Sequence, residues 1–116
     1  MHPSARACIA YIAACSISGK KASGIYDYSQ SKHISISGNA DKRSASLYDY
    51  SRSCHVSGHF PTLFDYGQGA HISFGFNGKA FSGYNFRTAS HFSGAVNGSS
   101  ISLYDHGVGI NFQFSI

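Results

Sequence analysis

A short unit recurs about every 20 residues along this chain and confines it to few architectures: an apolar residue, an aromatic, Asp, a second aromatic, a small-residue turn, then His. The copies run from Ile25-Tyr26-Asp27-Tyr28 to His33, from Leu47-Tyr48-Asp49-Tyr50 to His55, and from Leu63-Phe64-Asp65-Tyr66 to His71. Two modified copies follow, Gly83-Tyr84-Asn85-Phe86 to His91 and Leu103-Tyr104-Asp105-His106 to Asn111. The interval from the Asp position to the His position is six residues in all five. A fixed period of this kind is the mark of one supersecondary unit copied along a chain.

The unit is built for strands. Glu is absent, Leu occurs only at 47, 63 and 103, and Ser, Gly, Tyr and Phe dominate, so good helix formers are scarce. After each aromatic pair comes a short turn: Ser29-Gln30-Ser31, Ser51-Arg52-Ser53, Gly67-Gln68-Gly69, Thr88-Ala89-Ser90 or Gly107-Val108-Gly109. These read as hairpin turns of three residues. That length pairs 66 with 70, 65 with 71 and 64 with 72, so each Asp faces its His. The second strands alternate, with Ile34 and Ile36, Ile72, Phe74 and Phe76, or Phe112, Phe114 and Ile116 on one face. By the same register Tyr26, Tyr28, Phe64, Tyr66, Tyr84 and Phe86 join that face as an aromatic core. Asn77-Gly78 and Asn97-Gly98 supply second turns between units, and Pro61 falls between units, where a missing donor does least harm.

With 116 residues there is room for one core, so residues 1–116 read as a single all-β domain: five or six tandem β-hairpin repeats forming an antiparallel up-and-down β-barrel or β-prism. Residues 23–116 hold five hairpins. Residues 1–22 read as a degenerate first repeat or N-terminal arm, since Ser16-Ile17-Ser18-Gly19 matches Ser35-Ile36-Ser37-Gly38. The alternative for this segment is a helix over residues 4–14, favoured by its alanines. The strand, Gly-x-Gly turn, strand pattern resembles curli amyloid repeats, most closely at Gly107-Val108-Gly109. A stacked solenoid of that kind would put Asp27, Asp49 and Asp65 on one ladder about 4.8 Å apart, where like charges repel. A meander separates them.

Cys8, Cys15 and Cys54 are odd in number and share no spacing, which argues against a disulfide framework and a zinc site and fits a reduced, cytoplasmic setting. Residues 7–14 are apolar but too short for a transmembrane segment. With Arg6 before it, Ile12-Ala13-Ala14-Cys15 resembles the lipobox of a bacterial lipoprotein signal, which implies anchoring through Cys15 as an alternative. The formal charge is +4, with seven of the nine basic residues in the first half. Their loops do not interleave with aromatics along one strand face, so nucleic acid is not an expected partner.

The Asp/His positions carry two readings. In the structural one, Asp heads each turn and accepts its backbone N–H groups while His bonds across the strands. In the functional one, Asp27, His33, Asp49, His55, Asp65, His71, Asn85, His91, Asp105 and Asn111 form repeated shallow sites where Asp and Asn accept from hydroxyls and His and Ser donate. That mix beside planar Tyr suits carbohydrate, as in lectins of the β-prism type, whose architecture this chain resembles without their Gln-x-Asp-x-Asn-x-Val-x-Tyr signature. No metal, cofactor or catalytic residue is expected: one imidazole per hairpin cannot build a zinc site, and no Gly-x-Ser-x-Gly elbow occurs. The expected role is a non-catalytic binding module for carbohydrate or a protein surface. The alternatives are a structural, self-assembling protein, such as a homo-oligomer, and a barrel carrying a small apolar ligand.

Overall fold

A computed structural model describes all 116 residues. A helix, α1 (Pro3–Ser18), precedes ten strands: β1 (Gly24–Asp27), β2 (Lys32–Ala40), β3 (Ser44–Asp49), β4 (Cys54–His59), β5 (Thr62–Asp65), β6 (Ala70–Asn77), β7 (Ala80–Asn85), β8 (Ser90–Asn97), β9 (Ser100–Asp105) and β10 (Ile110–Ser115). Each strand pairs antiparallel with its neighbours in the chain, and β10 returns to pair with β1. The result is a closed barrel, not a prism, and closure leaves no sheet edge unpaired.

Ten strands spaced about 4.8 Å apart and tilted about 40° enclose a wall of roughly 10 Å radius. Wall side chains from both sides leave a channel about as wide as a helix. Helix α1 fills it. Every residue from Ala5 to Ser16 is buried, on all faces of the helix, and one apolar cluster joins residues 7–15 to Ile25, Ile36, Leu47, Val56, Leu63, Ile72 and Ile101 of the wall. Residues 1–22 are therefore not a degenerate hairpin. Ala5, Ala7, Ala10, Ala13 and Ala14 give the segment its helix propensity and a narrow cross-section, and its apolar residues follow no two-residue alternation that a strand could use. His2 caps the start, where its Nδ1 accepts from Ser4 N at 3.1 Å, and Pro3 opens the first turn. Gly19, at φ +72°, ends the helix in the left-handed region and donates to Cys15 O. No helix is long and apolar enough to cross a membrane.

The register corrects one step of the sequence reading. The turns after the aromatic pairs hold four residues, not three, so Asp65 pairs with Ala70 and Phe64 with His71. Likewise Tyr26 faces His33, Tyr48 faces His55, Tyr84 faces His91 and Tyr104 faces Asn111. A slip of one residue exchanges the two faces of a strand. Asp27, Asp49, Asp65, Asn85 and Asp105 consequently point inward with Ile25, Leu47, Leu63 and Leu103, and all five are fully buried. Tyr26, Tyr28, Phe64, Tyr66, Tyr84 and Phe86 lie on the outer wall, so they form no aromatic core. The last of the four turn residues adopts positive φ: Ser31, Ser53 and Ala89 (52° each), Gly69 (66°) and Gly109 (69°). Only two of the five are glycine.

The aromatic part of the core comes from Phe74, Phe81 and Phe92 on β6 to β8, with Phe112 and Phe114 of β10 and Tyr11 of the helix. Phe92 lies opposite Gly83 and Phe81 opposite Gly94. A Cβ at Gly83 would meet the Phe92 ring and the Ser73 carbonyl, so glycine there gives the ring its seat.

Two substitutions test this packing. Ile12→Ala, in the fully buried middle of α1, is expected to lower unfolding free energy in urea by about 2–5 kcal/mol with an unchanged m-value. Ala89→Gly is expected to raise it by about 0.5–1 kcal/mol, because relief of the left-handed backbone outweighs the entropy glycine loses on folding. A loss of stability in the second variant would contradict the four-residue turn.

Candidate functional site

Two layers of side chains occupy the barrel end that holds the four-residue turns. The inner layer is the ring of Asp and Asn. Each Oδ1 accepts from the backbone N–H two residues on: Ser29 to Asp27 at 2.9 Å, Ser51 to Asp49 at 3.0 Å, Gly67 to Asp65 at 2.9 Å, Arg87 to Asn85 at 3.0 Å and Gly107 to Asp105 at 2.9 Å. These are Asx turns, and they explain an Asp or Asn at the head of every turn with no ligand at all.

The second oxygen of each acid finds an individual partner. Gln30 Nε2 donates to Asp27 Oδ2 at 2.6 Å, and the Met1 α-ammonium lies 3.0 Å from Asp105 Oδ2. Arg52 spans two turns, with Nε 2.7 Å from Asp49 Oδ2 and Nη1 3.0 Å from Asp65 Oδ2. Gln68 donates its amide to Asp65 Oδ2 at 2.9 Å, which leaves its carbonyl oxygen facing the next turn. Asn85 Nδ2 donates to that oxygen at 3.0 Å. A carboxylate at 85 has no donor to offer, and this accounts for the amide in the fourth copy.

Helix α1 closes the network from inside. Cys8 Sγ sits 3.4 Å from Asp49 Oδ2 and 3.4 Å from Arg52 Nη2. Burial, with the Asp49 charge second, holds the Cys8 thiol well above its ordinary range, so it is protonated at neutral pH. Burial pushes the Asp49 carboxyl up, but bonds from Ser51 and Arg52 and the Arg52 charge outweigh it and leave the group below its ordinary value. The Arg6 guanidinium lies 3.7 Å from the Phe112 ring centroid and 3.9 Å from Asp105 Oδ2.

The outer layer is different in kind. The aromatic before each Asp packs edge-on against the aromatic or His after it, with centroids 4.9 Å apart for Tyr26 and Tyr28, 4.9 Å for Tyr48 and Tyr50, 4.8 Å for Phe64 and Tyr66, 4.8 Å for Tyr84 and Phe86, and 4.6 Å for Tyr104 and His106. The imidazole of the next strand packs on the first ring of three pairs: His55 on Tyr48, His71 on Phe64 and His91 on Tyr84, at 4.7 to 5.0 Å. The second ring leans over the strand of the preceding hairpin, where Tyr50 Oη meets Ser37 Oγ at 3.1 Å and His106 Nε2 meets Ser93 Oγ at 3.0 Å.

Shallow cups lie between neighbouring hairpins. One is bounded by His33, Ser35 and Tyr50, a second by Phe64, His71, Ser73 and Phe86, and a third by Tyr84, His91, Ser93 and His106. Their volumes are about 280, 450 and 570 Å³. No family model, curated protein or solved structure matches the chain.

The ten residues singled out in the sequence thus divide. His33, His55, His71, His91 and Asn111 face solvent, while Asp27, Asp49, Asp65, Asn85 and Asp105 are sealed inside and touch turn amides, Arg52, Gln30, Gln68 or the chain start. The expected Asp–His contact does not form, because the four-residue turn sets the two on opposite faces. The cup serines Ser35, Ser73 and Ser93 and the leaning rings Tyr50, Phe86 and His106 were not among the ten. A signal for the serines exists in the sequence, since each stands two residues after its His. The bridging role of Arg52 and Gln68, third after their own Asp, has no such signal.

The Asp49 carboxyl gives a pH test. Its folded value is lowered, so the stability it contributes is fully present above the unfolded value of about 3.9 and is lost as pH falls through the folded value. Asp49→Asn is expected to be less stable than the parent at pH 7, with a melting temperature that falls less steeply between pH 4 and pH 2. Parallel melting curves for the two proteins across that range would contradict the assignment.

Proposed function

We propose that this protein is a non-catalytic carbohydrate-binding module built of five hairpin repeats, and that its sites are the outer cups. The carrying observation is the recurrence, on solvent-facing wall, of one chemical set: an aromatic ring, an imidazole and a serine hydroxyl. Tyr28, Tyr50, Tyr66 and Phe86 are 56–62% exposed, an unusual outlay of large rings on a wall otherwise made of Ser, His and Asn. Planar apolar surface edged by fixed hydroxyl and imidazole groups is what a pyranose ring offers complementarity to, its C–H face against the ring and its hydroxyls to the polar rim. The shallow, open shape suits one or two sugar units held weakly, with strength gained through several cups.

The inward acids support the same reading by elimination. All four are committed to turn amides and to Arg52, Gln30, Gln68, Arg6 or the Met1 ammonium, which takes the carboxylates out of any solvent-facing site. The binding set therefore narrows to His33, His55, His71, His91 and Asn111 with their aromatic and serine neighbours. A barrel carrying an apolar ligand is the weaker reading, because α1 fills the lumen such a ligand needs. Self-assembly through the exposed rings remains the competing use of the same surface.

Glycan-array screening followed by calorimetric titration of the best ligand separates these uses. Saturable binding with more than one sugar per chain is expected, and Phe64→Ala with His71→Ala is expected to remove one site while leaving far-UV circular dichroism unchanged. A chain that binds no glycan and gains mass with concentration in native mass spectrometry is an assembly protein instead.

A further inference from the structure

The barrel is electrostatically two-ended. At the end opposite the Asx turns lie the exit of α1 and the β2–β3, β4–β5, β6–β7 and β8–β9 connections. Lys20 and Lys21 follow the helix, Lys42 and Arg43 sit on the β2–β3 connection, and Lys79 sits on the β6–β7 connection; all five are exposed. The one acidic side chain there is Asp41, whose Oδ1 accepts from Arg43 N at 2.7 Å and Ser44 N at 3.0 Å, and the Ile116 carboxylate lies at the same end beside Ser99. The other four cations of the chain, Arg6, Lys32, Arg52 and Arg87, are matched in number by Asp27, Asp49, Asp65 and Asp105. The whole side-chain charge of +4 therefore resides on one end of the barrel.

None of these five cations forms an ion pair, in contrast to Arg6 and Arg52 at the other end. Lys20 Nζ reaches Ser99 Oγ at 3.2 Å, which carries positive charge across the mouth toward the β8–β9 connection. Between the Lys20–Lys21 segment and β2/β3 lies a groove of about 380 Å³, edged by Asn39, Ser44 and Ser46 and by Asp41, whose Oδ1 is taken by the backbone of its own turn. With the Lys20 ammonium turned to Ser99, the Lys21 ammonium, the Asn39 amide and the two serine hydroxyls remain as donors suited to one phosphate group.

We infer that this end docks on an anionic lipid headgroup surface, with a headgroup phosphate in the Lys20–Lys21 groove and Lys42, Arg43 and Lys79 resting on neighbouring headgroups. The spread of the cations selects a plane over a strand. They stand at protruding tips on different sides of the barrel mouth, β2–β3 and β6–β7 being four strands apart around the ring. A linear polyanion follows one line of charge; a bilayer surface meets all the tips together. Docking end-on also leaves the outer cups free, since they open sideways near the far end. This inference stands apart from the carbohydrate reading and survives its failure.

The test is co-sedimentation with vesicles of phosphatidylcholine alone and of phosphatidylcholine with about a third phosphatidylserine, at low salt and at high salt. Binding to the anionic vesicles at low salt, lost at high salt and absent from the neutral vesicles, is expected. Lys21→Gln with Lys42→Gln is expected to weaken it about 20-fold. Lys32→Gln with Arg87→Gln removes the same net charge from the opposite end and is expected to change it less than threefold. Circular dichroism checks that both pairs fold. Equal weakening by the two pairs would reduce the effect to net charge and overturn end-on docking. So would absence of vesicle binding in a protein that retains salt-sensitive binding to a soluble sulfated polysaccharide, since that outcome makes the partner a linear polyanion.

Discussion

A closed wall of ten strands encloses more volume than its own side chains fill, and the rest of the structure depends on how that volume is occupied. Eight strands make a barrel that inward side chains complete; ten do not. Here the filling is covalent and comes from the same chain. A helix made mostly of Ala, Ile, Cys and Tyr is apolar on every side, which in water alone would be a liability, and in the lumen every side has a wall to meet. The thinness of alanine matters as much as its helix propensity. A helix of leucines would force the strands apart, and one of polar residues would leave its side chains without partners.

From the packed helix follows the chemistry of the ring above it. Five carboxyl or amide groups held inside one barrel end would repel and dehydrate one another if each were left to water-poor surroundings. Asx turns use one oxygen of each group. The remaining oxygens are met by whatever the helix and the neighbouring turns present: the Met1 ammonium, Arg6 and Cys8 from the helix side, and Gln30, Arg52 and Gln68 from the turns. The acids are thus part of the fold's interior and not of its surface. Their recurrence in the sequence is the recurrence of a turn.

Much of this was legible from residues alone. The copied unit, the strand character, the antiparallel meander and the Asn-Gly turns at 77–78 and 97–98 all follow from periodicity and turn chemistry. In the structure each of those two glycines takes positive φ as the first of two loop residues. Which face of each first strand looked inward was not legible, because it hung on a single residue of turn length. At Gly69 and Gly109 a left-handed fourth position can be guessed, but at Ser31, Ser53 and Ala89 the residue type conceals it. Three-residue and four-residue turns fit the same letters and turn opposite faces of the first strand of each hairpin inward, while Ile34, Ile36, Ile72, Phe74, Phe112 and Phe114 of the second strands stay in the core as expected. The helix was legible only as an alternative, since a segment with an apolar residue on every face has no period to distinguish it from a buried strand. Its role as a plug becomes evident only once the strand number is known.

Inside and outside then differ in what repetition can explain. A helix with 3.6 residues per turn has no fivefold axis, so each hairpin faces a different part of it, and the inward partners have diverged accordingly. Asp49 meets Cys8 and Arg52, Asp105 meets the chain start, and position 85 has become an amide. Nothing in the core asks the outer wall to stay uniform. Yet the outer aromatic pair keeps nearly the same spacing in the first four hairpins, and the His and Ser beside it recur there at the same offsets. The Tyr–His contact and the Tyr–Ser bond hold the wall together only weakly, being solvated, and Ser or Thr pairs would serve a barrel of this size as well. Uniformity on the face that packing constrains least is therefore the feature on which the proposed outward-facing role rests.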